Sequence, residues 1–102
     1  MVTSKNPQKY VGINNDHDGG MTDTGKIIRD AWVFEIIPET ETCEGWPYAG
    51  IQSLWDKTSV EWEKYGFLVN NMPPEMQQRF ERIQREAFEH AKKSGWEPDP
   101  DE

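Results

Sequence analysis

Only one cysteine, Cys43, is present in 102 residues. A single thiol can neither close an intramolecular disulfide nor build a cysteine-rich zinc knuckle, so packing must hold the fold and a reducing compartment is the expected setting. Long apolar runs are also missing. No stretch reaches the roughly 18 apolar residues of a membrane span, and the opening MVTSKNPQKY has no apolar core of a signal peptide. The expectation is a soluble cytoplasmic chain without a membrane partner. Basic side chains are in deficit, 11 Lys and Arg against 19 Asp and Glu for a formal charge of -8, which opposes direct binding to nucleic acid. Apolar residues make up 34% of the chain. That leaves room for one small core, and five Trp, four Phe and three Tyr are the large side chains available to fill it.

A complete catalytic motif is lacking too. The stretch GGMTDTGKI, Gly19 to Ile27, comes within one residue of the phosphate loop G-x-x-x-x-G-K-[ST]. Ile27 stands where a hydroxyl must hold magnesium, the preceding INNDHDG is no hydrophobic strand, and Asp23 would face the phosphates. The glycines are therefore expected to end an arm and Thr24 or Asp23 to start a helix. Asn14, Asp16 and Asp18 alternate before Gly19 as in calcium loops, but the twelfth position, which needs a bidentate Glu, is Gly25. Cys43 is crowded by Glu39, Glu41 and Glu44, whose charges suppress a reactive thiolate. His17 and His90 are distant in sequence, and His90 borders an apolar stripe as an ordinary boundary residue does. The chain is expected to be no enzyme and to use no cofactor, with no catalytic or metal residue assigned.

What is present is helical periodicity. TGKIIRDAWVFEII sets Ile27, Ile28, Ala31, Trp32, Phe34 and Ile36 in a run predicted as a first helix ending before Pro38. Ile51, Leu54, Trp55, Thr58, Trp62 and Tyr65 follow at three- and four-residue steps, the clearest amphipathic helix in the chain, with Gly66 placed to end it. A third helix begins near Pro74, carries Met76, Phe80, Ile83, Ala87 and Ala91 on one stripe, and stops at Gly95. Glu75 with Arg79, Glu81 with Arg85 and Glu89 with Lys93 are spaced to pair on its outer side. Trp55, Trp62, Phe80 and one of Trp32 or Phe34 are expected in the core.

The predicted architecture is all-α, a small three-helix bundle or open helical array. A flexible N-terminal arm takes residues 1–22, a single helical domain 23–96, and an acidic tail 97–102. Trp46, Tyr48 and Trp96 lie outside the periodic stripes, and aromatics of this kind anchor protein interfaces. Cys43, Glu44, Trp46, Tyr48 and Trp96 are therefore the candidate partner-binding residues of a small acidic accessory protein whose larger protein partner presents a basic surface. Two other readings compete: an inhibitor that mimics nucleic acid by displaying carboxylates, which the near-neutral third helix weakens, and a small metal-binding domain.

Overall fold

Thr22 follows two short 3-10 turns, Ile13–Asn15 and His17–Gly20, and starts the first helix. Its side-chain oxygen accepts the Gly25 N–H at 3.0 Å, so the cap falls just before the two positions expected, Asp23 and Thr24. The computed structural model describes residues 9–96, so the expected tail at 97–102 and the first eight residues of the expected arm lie outside the described residues. Three helices follow one another: α1 (Asp23–Val33), α2 (Tyr48–Lys64) and α3 (Pro74–Lys93). The fold is the expected all-α bundle, with no sheet among the described residues beyond one isolated bridge between Lys9 and Pro47. Within it α1 is the central element, packed on both α2 and α3. The flanking helices meet through the rings of Trp62 and Phe80, edge to face at 6.2 Å.

All three helices end the same way. The N–H of the second residue past each helix cap reaches back to the third carbonyl from the end: Ile36 to Ala31 at 2.8 Å, Phe67 to Trp62 at 3.0 Å and Trp96 to Ala91 at 3.0 Å. This is the Schellman arrangement, and it requires a left-handed residue just before the donor. Gly66 (φ 61°) and Gly95 (φ 96°) supply it where expected. In α1 the position is Glu35, at φ 59°, so the helix ends after Val33 instead of running on toward Pro38. Arg79 reinforces that early end by donating its Nε–H to the Val33 carbonyl at 2.9 Å.

Residues 9–22, within the span read as an arm, are laid into the body of the protein. Tyr10 and Gly45 donate to Trp46 and Tyr10 carbonyls at 2.9 and 2.8 Å, and Ile13 donates to Thr42 at 3.1 Å. These backbone bonds sink the Tyr10 and Ile13 side chains into a core shared with Ile28, Ala31, Cys43, Ile51 and Leu54. Tyr10 is the one aromatic in that core; its other members are aliphatic or small, which departs from a core built of tryptophans. Trp62 and Phe80 are half-buried, and so are Trp32 and Phe34. None of the three predicted pairs along α3 forms among the described residues. Arg82 instead holds Glu39 through both guanidinium amino groups, at 2.7 and 3.0 Å, and reaches Glu86 at 3.4 Å.

Candidate functional site

Along α2, Tyr48, Trp55 and Trp62 are seven residues apart, nearly two full turns, so their side chains line one stripe. The buried stripe of Ile51, Leu54 and Thr58 lies next to it around the helix. Trp55 falls about 100° from Leu54 on the helical wheel, at the edge of the arc read as core. The structure leaves it 51% exposed, correcting its assignment to the interior. Trp62 turns partly inward, with Phe34 edge-on at 5.3 Å and its indole N–H donated to Asp30 Oδ2 at 3.0 Å. Burial pushes the Asp30 carboxyl above the ordinary range, and the Trp62 bond opposes that shift.

Between α1 and α2 these side chains form a groove of about 440 Å³, walled by Ile27, Trp55, Trp62 and Phe67 and edged by Asp23, Lys26 and Asp30. Phe67 stands at its end with φ 62° and 62% of its surface exposed, and Leu68 beside it is also exposed. A bulky residue in the left-handed region costs of order 1 kcal/mol or more, and here no burial of the ring offsets it. Phe67 belongs to none of the helical stripes, so the sequence carries no periodic signal for it. The adjoining Gly66 fixed where the helix ended, not which way the next ring would point.

The five candidate residues separate. Tyr48 is exposed on the first turn of α2, and Glu44 is exposed in the preceding loop. Trp46 packs half-buried against the core, and Trp96 lies against Phe88 at 5.7 Å, past the end of α3. Cys43 faces the interior, with no exposed surface, so its thiol is not presented to a partner. Burial, with the Glu41 charge adding to it, pushes this thiol from 9.0 to about 11.

The glycines of GGMTDTGKI serve close packing. A side chain on Gly25 would place its Cβ 2.1 Å from the Gly20 carbonyl oxygen, and one on Gly19 would come within 2.5 Å of the Ala91 backbone. In the calcium-like stretch, Asp16 is a hub of internal bonds, accepting from the Tyr10 hydroxyl at 2.7 Å, the Thr22 hydroxyl and the His17 N–H. Burial opposes its ionisation, but these three donors prevail and hold the carboxyl below its ordinary value. Among the described residues no three His, Cys, Asp or Glu side chains gather as a metal site, and no helix is long and apolar enough to cross a membrane. No known protein family matches this chain, and neither the curated proteins nor the solved structures compared with it include a significant match.

Proposed function

We propose that this chain is a non-catalytic accessory protein that docks a larger protein, with the α1–α2 groove as the docking surface. The observation that carries the reading is Phe67: an exposed ring on a strained backbone at the mouth of an apolar groove. Exposed aromatics beside a shaped groove are the common anchors of protein interfaces. Trp55 and Tyr48 extend the same surface along α2. The occupant we favour is a basic amphipathic segment, with apolar side chains on Trp55 and Phe67 and a Lys or Arg against Asp23. The excess of 19 acidic over 11 basic side chains supports that choice. A reducing, cytoplasmic setting belongs to this reading, and the unpaired Cys43 is consistent with it.

The test compares the tagged chain with a Trp55→Ser, Phe67→Asn variant in captures from cell extract at low and moderate salt. Asn tolerates the left-handed backbone at position 67, so the variant should keep its helical spectrum. The expected result is a stoichiometric partner, retained by the parent at moderate salt and lost by the variant. Equal retention by both would move the interface elsewhere. A nucleic-acid-binding partner released as salt rises would favour mimicry instead.

A further inference from the structure

On the other side of α1 lies a buried cation without an ion-paired carboxylate; Asp16 and Asp30 act on it only from beyond salt-bridge distance. Arg29 is 5% exposed, and its Nε has no hydrogen-bond partner. One terminal amino group meets only the Met21 sulfur, at 3.4 Å, a weak acceptor. No carboxylate among the described residues pairs with it. A buried guanidinium in this state is costly, because its dehydration outweighs the attraction of Asp16 and Asp30 and no strong acceptor meets it.

Arg29 contributes to the wall of a half-open hollow of about 170 Å³ between α1, α3 and the Ile13–Gly20 segment. Its other walls include the apolar side chains of Ile13, Trp32, Ile83 and Ala87. A cavity of about 150 Å³ lined by aliphatic and aromatic groups accepts benzene, so the size suits a single ring. Glu39 and Glu86 also border the hollow, both held by Arg82, and His90 stands beside them. Two carboxylates on the rim disfavour a dianion such as phosphate, while the apolar walls disfavour any small, strongly hydrated ion. What remains is an apolar body bearing one negative charge.

We propose that this hollow binds a small monocarboxylic acid with an apolar body of about benzoate's size, its carboxylate paired with the Arg29 guanidinium. The fork of N–H donors on an arginine matches the two oxygens of a carboxylate, and such charge-assisted pairs are the strong ones in a dehydrated site. The site is separate from the α1–α2 groove and stands or falls independently of partner docking.

Three probes, benzoate, benzamide and inorganic phosphate, are titrated into the isotopically labelled full chain and followed by nuclear magnetic resonance. Benzoate should give saturable shifts at Ile13, Ala87 and the Trp32 indole. Benzamide, the neutral isostere, should bind at least about tenfold more weakly, and phosphate should leave these signals unmoved. Arg29→Met should fold with an unchanged or higher Tm and lose roughly tenfold or more of the benzoate affinity. Ala87→Leu keeps the cation and fills the hollow; it should abolish binding, and it decides the matter if Arg29→Met fails to fold. Absence of saturable benzoate binding, equal affinity for benzamide, a matching response to phosphate, or full benzoate affinity in either folded variant would overturn the proposal.

Discussion

Arg29 and Asp30 are consecutive residues of the central helix, opposite in charge, and they face different flanks of the protein. On the α2 flank Asp30 is answered by the indole N–H of Trp62, a ring that itself packs edge to face with Phe34 and Phe80. On the α3 flank Arg29 lines a hollow with apolar walls and a carboxylate border, and among the described residues its guanidinium's one hydrogen-bond partner is a sulfur atom. The α2 flank has met its polar demand internally and shows aromatic surface outward; the α3 flank leaves the Arg29 Nε without a partner. A protein can tolerate one such debt if the rest of its packing is sound, and here both flanks share the fully buried Ile28 and Ala31 of α1.

The largest effect should come from Trp62→Ala, which removes the ring that joins α2 to both other helices and the donor to Asp30. A loss of about 3 kcal/mol in urea-unfolding stability is expected, at the lower end for tryptophan because the ring is half-buried. Trp62→Phe separates the two contributions. It keeps a ring and leaves Asp30 unanswered, for a loss of about 1–3 kcal/mol at pH 7. The sign with pH follows from the raised Asp30 carboxyl: the folded state holds that proton more tightly than the unfolded one, so ionisation costs stability as pH rises from the ordinary carboxylate range through the raised value. Trp62 reduces that cost, and the gap between parent and variant should therefore shrink at pH 4. A gap independent of pH would mean that the bond to Asp30 contributes little.

Arg29→Met should do the opposite on the other flank, leaving stability unchanged or raising it by about 1 kcal/mol, because it removes an unmatched buried charge. A loss of 2 kcal/mol or more would show that the guanidinium is satisfied in solution and would abolish the contrast between the flanks. The smallest change should be Glu35→Gly, a gain of about 0.5–1 kcal/mol from relieving a left-handed non-glycine residue, measured by thermal unfolding.

Much of this was legible from the chain. The stripes of α2 and α3 repeat at helical spacing, and Gly66 and Gly95 mark their ends, because backbone conformation and amphipathic burial leave local traces. The end of α1 was not legible, since Glu35 fills a position whose usual signal is glycine. Nor was the anchoring of residues 9–22. Tyr10 and Ile13 are isolated apolar residues without a period, and their places depend on backbone bonds to Thr42 and Trp46 far along the chain. Of the candidate sites, Tyr48 could be found as an aromatic outside the core stripe, whereas Trp55 was hidden in it. Arg29 left a faint signal: it lies four residues from both Gly25 and Val33, on a stripe that is otherwise buried and uncharged.

The contact of Gly19 with Ala91 brings together residues near opposite ends of the described chain. Because α1 must wait for both flanking helices, a chain emerging from the ribosome cannot complete its core until α3 has left the exit tunnel. The core of this domain therefore closes only after its last helix has emerged, and the exposed apolar face of α1 is at its most vulnerable before then.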